Sequence, residues 1–128
     1  MAKTTREHWK DEPDDHDFPA ATDYLSLLFS EADAASLAEA LGTAPTIRRK
    51  AKDLLRASGL PHLARDDPQL DKDLKKVARG ESLSPVLLVR GRAAKGRPLV
   101  VADGYHRICA SYHLDEDADI PCRLVDAP

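Results

Sequence analysis

Pro98-Leu99-Val100-Val101-Ala102-Asp103-Gly104-Tyr105-His106-Arg107-Ile108 is the stretch on which the reading of this chain turns. A short apolar run leads into Asp103-Gly104, and Ile108 to His113 has a helical pattern. A strand that turns through glycine into a helix start leaves backbone N–H groups free at the positive end of the helix dipole, where anions bind. His106 and Arg107 add two phosphate-compatible donors at that turn, the arginine as a planar fork. The stretch predicts a strand, a tight turn and a helix, with a phosphate site at their junction.

Upstream, Val86 to Val89 is a second short apolar run typical of a strand. Arg90 to Arg97, with Gly91 and Gly96, predicts an exposed hairpin loop, and Leu99 to Val101 the returning strand. Downstream, acidic Asp115 to Asp119 precedes a last strand, Ile120 to Val125. The chain before Gly80 has helical periodicity instead. From Ala20, Leu25, Leu28 and Phe29 form a first apolar face, and Ser30 caps a second helix that runs to Leu41 and stops at Gly42. After Pro45, Ile47, Ala51, Leu54 and Leu55 line one face of a third helix, with basic residues on the other, ending at Gly59 and Pro61. Asp66-Asp67-Pro68 opens a fourth, whose face is Leu70, Leu74 and Val77 and whose end is Gly80. Four helices followed by β-β-α-β define an α+β class with a small mixed sheet. Residues 1–17 have little apolar content apart from Trp9 and predict a disordered tail. Residues 18–128 form one domain, a helical front over 18–62 and the core from 63 onward.

No apolar run approaches membrane-spanning length and the N-terminus is charged without a signal-peptide pattern, so the expectation is a cytoplasmic protein with no membrane partner. Cys109 and Cys122 have no metal-like spacing with histidine and predict buried reduced thiols; no metal-ligand set is expected. Charge is unevenly placed: residues 1–18 sum to −3, 19–44 to −4, 45–80 to +5 and 81–128 to −1. The basic segment holds Arg48, Arg49, Lys50 and Lys52, which either contact a nucleic-acid or nucleotide phosphate or form a solvated face paired with the acidic front.

The half of the chain from about Leu63 resembles the ParB/sulfiredoxin-like fold of the ParB-like nuclease domain superfamily. The matching features are a helix ending at Gly80, Ser84-Pro85-Val86 leading into a strand, the box Asp103-Gly104-Tyr105-His106-Arg107, Ala110 on the following helix, and the closing strand Ile120 to Val125. Members of this fold bind nucleotide phosphates with the box. Sulfiredoxins carry Gly-Cys-His-Arg with ATP as co-substrate, partition proteins a Gly-Glu-Arg-Arg box for CTP, and free-serine kinases an Asp-Gly-x-His-Arg version. The resemblance implies that Gly104, Tyr105, His106 and Arg107 contact nucleotide phosphate, the nucleotide being ATP, ADP or CTP with Mg²⁺. It also argues against sulfiredoxin chemistry, because Tyr105 stands at the cysteine position and Cys109 lies four residues on.

Asp103 has two readings: a carboxylate that orients Arg107, holds Mg²⁺ or accepts a substrate proton, and an N-cap for the helix at Tyr105. Asp103 and His106 are the catalytic candidates, the latter through titration near neutral pH. Asp66, Asp67 and Glu81 are further carboxylates, with Asp67 better explained as a helix cap before Pro68. The leading expectation is a nucleotide-phosphate-binding protein of the phosphotransferase kind. The alternative is a non-catalytic module that binds nucleic acid or a protein partner. A nuclease is the weakest expectation, since no metal-carboxylate cluster is recognisable.

Overall fold

The computed structural model describes residues 7–128. In chain order these form β1 (His8–Trp9), α1 (Asp17–Leu25), α2 (Glu31–Thr43), β2 (Ile47–Lys50), α3 (Ala51–Ser58) and α4 (Pro68–Ala78). They continue with β3 (Ser82–Leu83), β4 (Val86–Val89), β5 (Val100–Asp103), α5 (Tyr105–Leu114) and β6 (Asp119–Val125). The class is α+β, and four helices precede β4-β5-α5-β6 as the periodicity predicts.

The main sheet has the order β2-β6-β4-β5, with β4 parallel to β6 and the outer pairs antiparallel. All four residues of β4 are buried, so it separates two cores. Val86 and Leu88 face one core with Leu54, Leu70, Ile108 and Ile120, from α3, α4, α5 and β6. Leu87 and Val89 face the other, with Leu25 of α1 and Leu37 and Leu41 of α2. Alternation along an extended chain sends successive side chains to opposite faces, which is why an unbroken apolar run suits a strand covered on both sides. Helices therefore lie on both faces of the sheet. Arg123 of β6, itself buried, donates to the carbonyls of Leu41 (3.1 Å) and Gly42 (2.9 Å), which end α2 without intrahelical partners.

Ser30 caps α2 by accepting from the Asp33 N–H, and Asp67 caps α4 by accepting from Gln69 and Leu70, as the sequence predicts. Three expectations are corrected. Ile47 to Lys50 is a strand, not the first turn of the third helix, because β6 offers a free edge that pairs Ile47 with Cys122 and Lys50 with Asp119. Tertiary pairing overrides a helical pattern, and Ile47 still reaches the same core as Leu54. The first helix starts at Asp17 and ends at Leu25, leaving Leu28 exposed in the following turn.

The third correction concerns the tail. Residues 1–6 lie outside the described residues, but 7–17 are docked. β1 pairs in parallel with β3, Glu7 accepts from the buried Ser111 hydroxyl, and Asp17 is buried. Trp9 packs on the first core and supplies the apolar anchor that holds this polar segment. Both cysteines are free and buried, and burial pushes the Cys122 thiol up to about 11. No helix among the described residues is long and apolar enough to cross a membrane.

Candidate functional site

The turn between β5 and α5 is built by one glycine. Gly104 has φ +106°, and a Cβ there would lie 2.5 Å from Val86 Cγ1. Both the left-handed backbone and the close approach of β4 require the missing side chain. Gly104 also leaves α5 without a side-chain cap, and Asp103 does not cap it either. Ile108 is the first residue of the helix to donate backward, to the Gly104 carbonyl. The N–H groups of Tyr105, His106 and Arg107 have no acceptor among the described residues.

Asp103 takes the other of its two readings and orients Arg107, accepting from Nη2 at 2.5 Å. The arginine's Nη1 donates to the Ser84 carbonyl and hydroxyl and to the Pro85 carbonyl, and lies 3.8 Å from Asp17 Oδ2. With 13% of its side chain exposed, Arg107 is turned inward. It is a bracket that ties β5, α5, the β4 approach and the N-terminal segment together.

His106 and Gly104 open onto a polar pocket of about 380 Å³, whose floor is Asp103, Arg107 and Ser84. One wall comes from the N-terminal segment, with Lys10, Asp14, His16 and Asp17, and another from α4, with Gln69, Asp73 and Lys76. Glu81 lines the rim, held by Arg79 Nε at 2.5 Å. Lys10 grips Asp14 at 2.6 Å and this hydrogen bond holds the Asp14 carboxyl below its usual range. Burial raises Asp73, against the pull of Lys76, Arg107 and His106. Burial also raises Asp103, which Arg107 opposes and the neighbouring Asp17 carboxyl reinforces.

The structure thus brings Asp103, Gly104, His106 and Arg107 together and leaves Tyr105 out. The Tyr105 hydroxyl donates to the Pro61 carbonyl, away from the pocket, and burial raises its pKa. Asp66 is exposed and outside the pocket. Arg48, Arg49, Lys50 and Lys52 do not line it either. The first three are exposed on the edge strand β2, and Lys52 pairs with Asp117 at 2.7 Å. Lys10, Asp14, His16, Asp17, Asp73, Lys76 and Ser84 escaped the sequence reading. A trace of Asp14, His16 and Asp17 exists in the run Pro13-Asp14-Asp15-His16-Asp17, which sits between two aromatic anchors, Trp9 and Phe18.

Asp14, His16 and Asp17 bring donor atoms within 4.8 Å of one another. These carboxylates already have protein partners, Lys10 for Asp14 and the Asp14 N–H and Arg107 for Asp17, so they do not fit an open ligand set for Mg²⁺. A larger groove of about 780 Å³ runs beside β5, lined mainly by apolar groups such as Leu28, Phe29 and Leu99. It lacks the convergent charges of the α5 pocket. No protein-family model matches the chain, and neither does any curated protein or solved structure.

Proposed function

We propose that this protein binds a phosphate-bearing ligand, a nucleotide in the first instance, at the N-terminus of α5. The observation that carries this is the set of free N–H groups at Tyr105 to Arg107, at a helix start beside a pocket lined by His106, Lys76 and Lys10. The resemblance of the box to the ParB/sulfiredoxin-like fold supports the same ligand class. In this account the backbone and His106 meet the phosphate, while Arg107 shapes the turn from behind. Gly104 serves by leaving room, and Tyr105 serves the scaffold.

Phosphoryl transfer to a hydroxyl is the chemistry such a pocket favours, because it needs positioning and charge neutralisation more than special nucleophiles. Asp103 is the carboxyl beside the helix start, where it holds Arg107 and faces the ligand. Sulfiredoxin chemistry is not proposed, since Tyr105 faces away and the Cys109 thiol is buried and raised in pKa by that burial. The test is a thermal shift with ATP, ADP, CTP and GTP, each with and without Mg²⁺. A ligand at 100 times its Kd adds about 2.7 kcal/mol, a rise of several degrees for a domain of this size. His106→Ala and Lys76→Ala should each reduce that rise, and no rise with any nucleotide would refute the proposal.

A second reading is favoured by one feature, the exposed basic edge of β2. Arg48, Arg49 and Lys50 would there contact a nucleic-acid backbone. A gel shift that weakens with salt and disappears when all three become alanine is its expected signature. Binding unchanged in that triple variant would exclude it.

A further inference from the structure

The charge inside the α5 pocket poses a question that the proposed phosphate site must answer. Five carboxylates, Asp14, Asp17, Asp73, Glu81 and Asp103, line it against three permanent cations, Lys10, Lys76 and Arg107. Histidines aside, that leaves an excess of two negative charges where an anion is to bind. Like charges in a confined site repel one another strongly unless one of them is neutralised.

The geometry points to the place of neutralisation. Asp103 and Asp17 converge on one guanidinium, with oxygens 2.5 and 3.8 Å from Arg107. Their side chains are 20% and 5% exposed, so water screens neither well. Two carboxyl groups crowded onto one poorly exposed cation favour holding a proton between them, and the Asp17 carboxyl raises the Asp103 pKa accordingly. We propose that the Asp17–Asp103 pair is a proton site, and that the pocket takes up a phosphate-bearing ligand together with the proton held there. The idea rests on the phosphate reading of the pocket. Asp103 is the member that faces the ligand, and Asp17, brought in by the N-terminal segment, acts through it as a positioning residue.

Burial, the first cause of the raised Asp103 pKa, is consistent with this, since it favours the neutral acid. An anion arriving beside the pair strengthens its hold on the proton, and by linkage lower pH strengthens the hold on the anion. The other groups that face the pair are Lys10, Asp14 and His16 from the N-terminal segment, Asp73 and Lys76 from α4, Glu81 after it, and His106 on α5. Variants of the pair must therefore separate its effect from that of these neighbours.

Two measurements on the full chain do so. In the ligand-free protein, carbon NMR of the aspartate carboxyls should show the Asp103 midpoint fall in Asp17→Asn and return in Asp17→Glu. An unchanged midpoint in Asp17→Asn would overturn the proton pair. Sulfate, whose charge is constant between pH 5 and pH 8, then probes the coupling. Wild-type affinity should fall with rising pH more steeply than that of Asp103→Asn, by up to tenfold per pH unit for one proton. Asp103→Asn, neutral at every pH, should bind sulfate more tightly than wild type at pH 8. Equal slopes, or weaker binding by Asp103→Asn at pH 8, would overturn the coupling. If the midpoint falls as expected but neither sulfate nor ATP binds at any pH, the proton pair stands and the phosphate reading fails.

Discussion

Gly104 is the residue at which strand, helix and pocket meet, and its tolerance for change is close to nil. In Gly104→Ala the new Cβ would press on Val86 at 2.5 Å with φ held at +106°. Strain and overpacking together predict a loss of about 2–4 kcal/mol in urea denaturation. Arg107→Lys keeps the charge but cannot fork between Asp103 and the Ser84 and Pro85 oxygens. A loss of about 2–3 kcal/mol is expected for those charge-assisted bonds; a change under half a unit would show that the bracket carries little. Glu7 gives a pH-dependent case. Its pKa is raised, first by burial and then by Asp115, with the Ser111 hydroxyl opposing. The folded state therefore holds this proton more tightly than the unfolded chain, so the contribution is present at low pH and lost as pH rises through the folded value. Glu7→Gln keeps an acceptor for Ser111 and should melt higher than wild type at pH 7 but level with it at pH 3. A gain equal at both pH values would mean that charge is not the cause.

Elements with a local cause were legible. Ser30 and Asp67 announce α2 and α4 by capping, and Asp67→Ala should cost about 1 kcal/mol by leaving the N–H groups of Gln69 and Leu70 without their acceptor. The run Val86 to Val89 could be recognised as a strand because four apolar residues in a row suit burial on both faces. Elements whose cause is distant were not legible. The strand β2 exists because β6, far along the chain, has a free edge, as the pairing of Ile47 with Cys122 and of Lys50 with Asp119 records. In the same way β1 is two residues long and depends on β3. Trp9 and Phe18 were the visible hints, since aromatic residues in a polar segment need somewhere to pack.

At the scale of the whole molecule, one sheet carries a core on each face and both cysteines lie in the first of them. Neither Cys109 nor Cys122 should react with a thiol reagent under native conditions, and both should react in denaturant; a fast native reaction at Cys122 would contradict a thiol pushed up to about 11. The candidate site was half legible. Asp103 to Arg107 is contiguous in sequence, and the strand-glycine-helix pattern alone marks it. Lys10, His16 and Asp17 come from nearly 90 residues earlier and Lys76 from α4, joined to the box only by the fold. That fold also turns Arg107 inward, which leaves the backbone N–H groups and His106 as the donors for the proposed phosphate. The most direct measurement is an amide NMR titration of the ¹⁵N-labelled protein with ATP, with and without Mg²⁺. Saturable shifts centred on Tyr105, His106 and Arg107, and extending to Lys76, are the predicted result. Saturation without movement of those amides, or no shift at any concentration, would contradict phosphate binding at the start of α5.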